Sequence, residues 1–246
     1  QRIATDTSQK GGIRFGVYLS PWDRNSRLYG QGKPYDDYFC NQLTELCTNY
    51  GELFTVWFDG ACGEGPNGKK QVYDWPRYYA LIRALQPKAC ISISGPDIRW
   101  CGNEAGDTRP SEWSVLPTSF DSPEDVARKS QQTDDASFRE KKIEETEQDL
   151  GSREFLEGAA GYAWRPAETD TSIRPGWFYH PEEDDKVRST ETLLDIWYRS
   201  VGGNSTLLLN IPPDRRGLFH ETDVARLREM GDYLRRTFAR NLAETA

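Results

Sequence analysis

Hydrophobic and polar positions along the chain follow two periods, which together predict strands that alternate with helices. Short apolar runs at 53–58 and 89–94, rich in β-branched and aromatic residues, are typical of buried strands. The segment between them, 75–85, has apolar residues at helical spacing, namely Tyr78, Leu81, Ile82 and Leu85. Pro76 suits the first turn of this helix, and Pro87 ends it. A strand, a helix and a strand in succession predict a parallel βαβ unit.

Similar patterns predict further elements on both sides of this unit. They are strands at 13–20 and 205–211, a weaker strand within 161–168, and helices at 36–50, at 189–201 and from 222 onward, with Thr222 as the cap. Ser122 and Pro123 mark one more helix start. No internal repeat divides the sequence, so we expect a single domain, 1–246, with a frayed lead-in at 1–12 and a charged excursion at 122–157. The alternation of strands and helices places this domain in the α/β class.

Composition and charge limit the partners of the chain. With 246 residues it can bury a substantial core, and a formal net charge of −8 argues against nucleic acid or an anionic membrane as a partner. No apolar run reaches the length of a membrane span and no signal peptide is recognisable, so the compartment stays open. The eight tryptophans could supply stacking surfaces for sugar rings, although core packing explains most of them equally well.

The cysteines do not form a recognisable pattern. There are five, scattered without a Cys-x-x-Cys pair or a cluster with histidine: Cys40, Cys47, Cys62, Cys90 and Cys101. Cys40 and Cys47 are about two turns apart on one predicted helix, too far to bridge each other. We therefore expect buried free thiols, and neither a zinc site nor a disulfide framework.

Two acidic side chains follow the strands of the βαβ unit. Asp59 comes directly after the first buried strand, and Glu104 lies in the turn-rich stretch that leaves the second. Because the carboxyl ends of parallel strands meet at one edge of a sheet, we expect both carboxylates at the same end of the fold. A glycosidase needs two such carboxylates, one to attack or stabilise the sugar and one to move a proton. For Asp59 taken alone, a cap on the following loop is an equally good interpretation.

Short motifs around these acids and farther along the chain stand in a recognisable order. They are YLSPW at 18–22, VWFDG at 56–60, GPDIRW at 95–100, GNE at 102–104, WFYH at 177–180 and LLLNIPP at 207–213. Together they resemble the α-L-fucosidases of glycoside hydrolase family 29. The likeness runs from about residue 15 to the C-terminus, and 99–104 is similar to the branch acting on α-1,3- and α-1,4-linked fucose in branched glycans.

The resemblance implies a retaining α-L-fucosidase on a (β/α) TIM-like barrel. Asp59 would be the nucleophile that forms a glycosyl-enzyme intermediate, and Glu104 would be the acid/base. The substrate-binding residues would be Tyr18, Trp57, Arg99 and Trp177, with Trp177 against the apolar methyl side of fucose. A core tyrosine with a satisfied hydroxyl is the alternative for Tyr18. The resemblance implies no cofactor and no metal, and its expected substrate is a fucosylated oligosaccharide or glycoconjugate.

The N-terminal side of the barrel differs from the family pattern. The family has further strands before the point that matches Ile13, and histidines on those strands hold the fucose hydroxyls. Neither His180 nor His220 lies in a matching context, so we expect a barrel that is incomplete at its N-terminal side. An unpaired strand edge there would favour self-association or a separate N-terminal partner segment. The resemblance is compatible with a secreted or periplasmic location.

Two other functions stay open at this point. A non-catalytic, fucose- or glycan-binding remnant of a barrel would keep the aromatic and acidic side chains without turnover. A metal-dependent barrel hydrolase is disfavoured, because no histidine cluster lies beside these acids.

Overall fold

The computed structural model describes residues 10–110, 112–120, 122–130 and 149–241, and the chain divides into two compact units. Unit 1 comprises 1–102, 113–132 and 151–167, and unit 2 comprises 103–112, 133–150 and 168–246. Residues 1–9 of the predicted lead-in and 131–148 of the predicted excursion lie outside the described part of the chain. The single domain, 1–246, stays a prediction.

Unit 1 is built on a parallel sheet with the strand order β1, β2, β3. β1 spans Val17–Tyr18, β2 spans Thr55–Phe58 and β3 spans Cys90–Ile93. In the register of the sheet, Val56 lies between Val17 and Ile91. The predicted parallel βαβ unit is confirmed, while the strand predicted at 13–20 is reduced to Val17–Tyr18.

Helices follow the first two strands and share their hydrophobic core. α1 is Lys33–Asn49 and α2 is Trp75–Leu85. α1 begins before the predicted residue 36 because Pro34 is accommodated in its first turn. Asp74 caps α2 by accepting a hydrogen bond from the amide of Arg77. The buried side chains of this core include Phe39, Leu43, Val56, Phe58, Tyr78, Ile82 and Ile91.

Shorter elements complete unit 1. They are β4 at Arg99–Trp100, β5 at Val115–Pro117, β6 at Tyr162–Trp164, α3 at Pro123–Ser130 and α4 at Arg153–Leu156. β5 and β6 pair in antiparallel fashion, and we refer to them as the β5–β6 ribbon. Ser122 starts α3 as predicted, because its hydroxyl accepts a hydrogen bond from the amide of Asp125 while the Asp125 carboxylate bonds back to Ser122.

Unit 2 combines strands β7 and β8 with helices α5 and α6. β7 is Ala167–Ser172, of which all but the first residue belong to this unit, and its neighbour β8 is Ser205–Asn210. α5 is Thr190–Ser200 and α6 is Glu221–Thr237. Ile173, Leu193 and Met230 form the buried centre of the unit. Within the described residues, no helix is both long and apolar enough to cross a membrane.

Two elements of the structure correct the predictions. The weak pattern at 161–168 resolves into β6 and the start of β7, and β7 then continues to Ser172 with every residue buried. His220, and not Thr222, caps α6, since the His220 Nδ1 accepts a hydrogen bond from the amide of Thr222 at 3.4 Å. The helix therefore starts at Glu221, one position before the predicted cap.

Candidate functional site

Asp59 lies one residue beyond the end of β2 and is half-buried. The hydroxyl of Tyr18 donates a hydrogen bond to Asp59 Oδ2, and the amide of Ala61 donates one to Oδ1 at 3.0 Å. The Ser20 hydroxyl also hydrogen-bonds to this carboxylate. Both carboxylate oxygens are thus oriented by donors from the adjoining strand end and loop.

Burial is the dominant influence on the ionisation of Asp59. Removing the carboxylate from water disfavours its charged form and raises its pKa above the ordinary value. The hydrogen bonds from Tyr18, Ala61 and Ser20 favour the charged form and oppose this rise without cancelling it. The site therefore shifts Asp59 towards its neutral form relative to an aspartate in water.

Tight packing fixes the loop that follows Asp59. Gly60 has φ +70°, and a Cβ atom there would lie 2.0 Å from Ser94 Oγ, so only glycine fits. The Tyr73 hydroxyl donates to the carbonyl of Ala61 at 2.7 Å, and the Tyr29 hydroxyl donates to the carbonyl of Gly63 at 3.0 Å. These tyrosines, which the sequence did not single out, hold the loop just after the Ala61 amide that contacts Asp59.

Tyr18 and Trp57 form an aromatic surface next to Asp59. Their rings stack with centroids 5.3 Å apart and an interplanar angle of 28°. Tyr18 is 59% exposed, whereas the indole of Trp57 also packs against Ile93 and Trp100. An exposed ring beside a carboxylate can stack on the apolar face of a sugar.

Arg99 lies in a different environment from the other predicted substrate-binding residues of unit 1. It is fully buried, its Nη2 donates to the carbonyl of Trp113 at 3.0 Å, and its amide donates to the carbonyl of Pro166 at 3.0 Å. These contacts tie β4 to the ends of the β5–β6 ribbon. A contact between Arg99 and a substrate stays a prediction.

Asp97, in the motif that links β3 to Arg99, is a structural residue. Its carboxylate forms an ion pair with Arg83 of α2 and accepts a hydrogen bond from the amide of Ile91 at 2.7 Å. Ile93, the last residue of β3, has φ +69°, a left-handed conformation that is uncommon for a β-branched residue. The Asp97 contacts hold the turn that this conformation creates.

Glu104 belongs to unit 2, on a loop that is fixed at several points. Asn103 Oδ1 accepts hydrogen bonds from the amides of Ala105 at 3.0 Å and Asp107 at 3.3 Å. The hydroxyl of Thr108 donates to the carbonyl of Arg199 at the end of α5, at 3.0 Å. Farther along the loop, Arg109 and Glu112 form a buried ion pair at 3.1 Å. The segment that carries Glu104 is therefore held against α5.

Trp177, also in unit 2, contacts Glu104. Its indole Nε1 donates a hydrogen bond to Glu104 Oε2 at 2.8 Å. The carbonyl of Trp177 accepts a hydrogen bond from Asn210 Nδ2 at 3.0 Å. The structure thus brings two predicted site residues together in unit 2, just as it brings Tyr18 and Asp59 together in unit 1.

A buried cluster holds the segment after Trp177 in place. Arg174 is fully buried and forms ion pairs with Asp184 and Asp223, both at 2.9 Å, and its guanidinium lies 4.7 Å from the ring centre of Tyr179. The Asp184 carboxylate also lies 3.4 Å from His220 Nε2. Sequence reasoning missed this cluster, because its members are scattered between positions 174 and 223.

The described residues contain no group of three or more His, Cys, Asp or Glu side chains placed to hold a metal ion. All five cysteines are free thiols, with Cys40, Cys47 and Cys101 buried and Cys62 and Cys90 half-buried.

Comparisons with known proteins point to one family. The family model described as Alpha-L-fucosidase matches residues 2–238. The curated Alpha-L-fucosidase 1 of Arabidopsis thaliana is 40% identical over 242 residues, which cover 97% of this chain and 42% of that protein. A solved structure from Bacteroides ovatus, assigned provisionally as an alpha-L-fucosidase, is 52% identical with a TM-score of 0.84, covering 98% of this chain and 40% of that one.

A third relative was solved with a ligand. It is a glycoside hydrolase family 29 fucosidase of Ruminococcus gnavus in complex with fucose, 25% identical with a TM-score of 0.73, covering 99% of this chain and 49% of that one. This chain spans about two fifths of the length of the curated relatives that it matches. By sequence and by fold, the chain belongs to the alpha-L-fucosidase family, glycoside hydrolase family 29.

Proposed function

We propose that this chain carries the catalytic centre of a retaining α-L-fucosidase, with Asp59 as the nucleophile and Glu104 as the acid/base. The observation that carries the proposal is the Asp59 carboxylate at the end of a parallel strand, oriented by Tyr18 on one oxygen and by Ala61 on the other. The three donors, Tyr18, Ala61 and Ser20, leave one lone pair of the carboxylate with which it could attack a sugar. Glu104 supplies a second carboxyl group on a firmly held loop.

The reaction would proceed in two displacements. In the first, an Asp59 oxygen forms a bond to the anomeric carbon while the bond to the leaving oxygen breaks, and Glu104 donates its proton to that oxygen. In the second, Glu104 takes a proton from water, the water oxygen attacks the same carbon, and the bond to Asp59 breaks. Two inversions restore the original configuration. Asp59 must be ionised and Glu104 protonated when the substrate binds.

The proposed substrate is L-fucose in α-1,3 or α-1,4 linkage on a branched glycan. The support is the similarity of 99–104 to that branch of the family, together with the fucose complex of the Ruminococcus gnavus relative. Tyr18, Trp57 and Trp177 would contact the fucose ring. Arg99 remains a predicted contact, and its guanidinium is fully buried.

The linkage preference can be tested by comparing kcat/KM on two sets of oligosaccharides. We expect a higher value for branched α-1,3- or α-1,4-fucosylated substrates than for α-1,2-fucosylated ones, because groups near the site would also bind the flanking sugars. A higher kcat/KM on the α-1,2 substrates would contradict the proposed specificity.

We infer in addition that the sheet of unit 1 belongs to a (β/α) TIM-like barrel. The support is the parallel order β1, β2, β3 with a helix after each of the first two strands. β1 is the outer strand of that sheet within the described residues.

A non-catalytic fucose-binding protein is the second candidate. Its support is that burial raises the pKa of Asp59, which disfavours the ionised form that a nucleophile needs. Binding of the sugar through Tyr18, Trp57 and Trp177 would not require ionisation. Turnover of a fucoside therefore separates the two candidates.

The deciding experiment is turnover of an aryl α-L-fucoside by the chain and by Asp59→Gly. We expect the variant to lose activity at least about 10³-fold, because the covalent step loses its nucleophile. Azide should restore part of the activity and give a β-fucosyl azide, since it attacks from the face that Asp59 would use.

Asp37→Gly, at an exposed aspartate of α1, is the matched control and should keep its activity. Equal unfolding temperatures for the two variants would show that the loss is not a folding defect. Near-normal activity of Asp59→Gly would exclude Asp59 as the nucleophile, and binding of fucose without any turnover by the unmodified chain would favour the second candidate.

A further inference from the structure

A short chain of hydrogen bonds connects β8 to Glu104. Asn210, the last residue of β8, donates from Nδ2 to the carbonyl of Trp177 at 3.0 Å and to Ser172 Oγ at 3.1 Å. The carbonyl of Asn210 in turn accepts a hydrogen bond from the amide of Ile173 at 3.0 Å. Asn210 is therefore held by its own backbone while its side chain fixes the backbone of Trp177. The indole of Trp177 then donates to Glu104 Oε2 at 2.8 Å.

The indole N–H restricts how Glu104 can use its two oxygens. An indole nitrogen is a donor only, so Oε2 must present a lone pair to it in either protonation state of Glu104. The carbonyl-like oxygen of a protonated carboxyl group is its better acceptor, so this hydrogen bond favours a proton on Oε1 over one on Oε2. The same hydrogen bond also limits rotation of a glutamate side chain that otherwise has several rotamers.

We propose that Trp177 and Asn210 act as a positioning pair, in which Trp177 holds Glu104 so that Oε1 exchanges the proton with the leaving oxygen, and Asn210 holds Trp177. The inference rests on the proposed role of Glu104 as the acid/base. In this proposal the N–H at the edge of the Trp177 indole binds Glu104, while the face of the ring is predicted to contact fucose. The two contacts are compatible, because the N–H lies in the plane of the ring.

The first test separates proton delivery from sugar binding by means of the leaving group. Trp177→Phe keeps an aromatic ring and removes the N–H. A sugar leaving group needs protonation, whereas an activated nitrophenol hardly does. We expect the loss in kcat to be about 10- to 100-fold larger on a fucosylated oligosaccharide than on a nitrophenyl fucoside. Trp197→Phe, in the core of the same unit, is the matched control and should affect both substrates equally.

The second test asks whether Asn210 acts through Trp177. Asn210→Asp preserves the size of the side chain and removes the donor to the Trp177 carbonyl. We expect it to lower kcat selectively for the sugar leaving group, and to cause no further loss when combined with Trp177→Phe, because residues acting in one chain are not additive. Additive losses in the double variant would overturn the role of Asn210. Equal losses on both leaving groups in Trp177→Phe would overturn the role of Trp177.

A third measurement does not depend on activity. In the chain labelled with ¹⁵N-tryptophan, the indole N–H signal of Trp177 is identified by its disappearance in Trp177→Phe. We expect this signal to move upfield in Glu104→Gln, because a neutral amide oxygen is a weaker acceptor than a carboxylate. If the Trp177 signal moves in Glu104→Gln but the unmodified chain has no fucosidase activity, the hydrogen bond is supported and the proposed function is refuted. If the signal is the same in Glu104→Gln, the positioning pair is refuted, whatever the activity.

Discussion

At the scale of single residues, the environment of Asp59 has a consequence for stability. Its pKa is raised by burial, so its deprotonated form opposes folding at pH values above that raised pKa. As the pH falls through the pKa of Asp59 in the folded chain, Asp59 takes up a proton and its destabilising effect decreases. This destabilisation is absent below the pKa of an unfolded aspartate, about 3.9. The partly buried Asp59 carboxylate thus lowers the stability of the fold at neutral pH.

We therefore expect Asp59→Asn to unfold at a higher temperature than the unmodified chain at neutral pH. The difference should shrink as the pH falls through the raised pKa of Asp59 and should reach its minimum below about 4, where the unmodified chain is protonated at this position. Each kcal/mol gained would raise the unfolding temperature by about 2–4 °C for a chain of this size. Thermal unfolding followed by circular dichroism across this pH range measures the effect.

Asp37→Asn provides a control, because the charge of Asp37 has the opposite effect on stability. The side-chain hydrogen bonds from Lys33 and Arg77 lower the pKa of Asp37, so its charged form favours folding, and its loss should not stabilise the chain at neutral pH. A lower unfolding temperature for Asp59→Asn than for the unmodified chain at neutral pH would contradict the assigned effect of burial on Asp59.

The sequence revealed the acids of the candidate site more readily than the residues that hold them. Asp59 stands out because it follows a buried strand, and Glu104 because it belongs to a motif of nearby residues. Tyr73 and Asn210 act through the carbonyls of Ala61 and Trp177, which lie 12 and 33 positions away. Contacts of this kind depend on the folded backbone and have no local sequence signal.

At the scale of elements, the helices of unit 1 were predictable and strand β7 was not. α2 matches the predicted 75–85 because its apolar residues repeat with the helical period and prolines mark both ends. β7, Ala167–Ser172, has the sequence AETDTS, which contains neither an apolar run nor an alternation of apolar and polar residues. Its burial depends on partners distant in sequence, such as the hydrogen bond between Thr169 Oγ1 and Ser205 Oγ at 2.6 Å.

α1 provides a test of how far unit 1 depends on its core. Leu43 of α1 is fully buried among aromatic and aliphatic side chains, so Leu43→Ala leaves a cavity as well as losing apolar burial. We expect a loss of about 2–5 kcal/mol in the free energy of unfolding, measured with urea. Leu218→Ala, at a position that is 59% exposed, should change it by less than about 0.5 kcal/mol. Similar effects of the two substitutions would show that α1 is not packed as described.

At the scale of the whole molecule, the outer strand of the parallel sheet bears on the state of the chain in solution. β1 is the outer strand of that sheet in the described part of the chain, and Phe15 and Leu19, on either side of β1, continue the hydrogen bonding towards β2. Ile13, just before β1, is 67% exposed. An outer strand with an exposed apolar residue beside it is a surface on which another strand can pair.

We therefore expect the chain to self-associate as its concentration rises, in light-scattering measurements across the micromolar range. Ile13→Lys places a charge beside the edge and should shift the association to higher concentration, because charged residues are a common protection of edge strands. Val72→Lys, at a residue that is 85% exposed and outside the sheet, adds the same charge and should leave the association unchanged. An equal effect of the two substitutions would attribute the association to net charge, and a monodisperse monomer at all concentrations would show that the β1 edge is not a pairing surface.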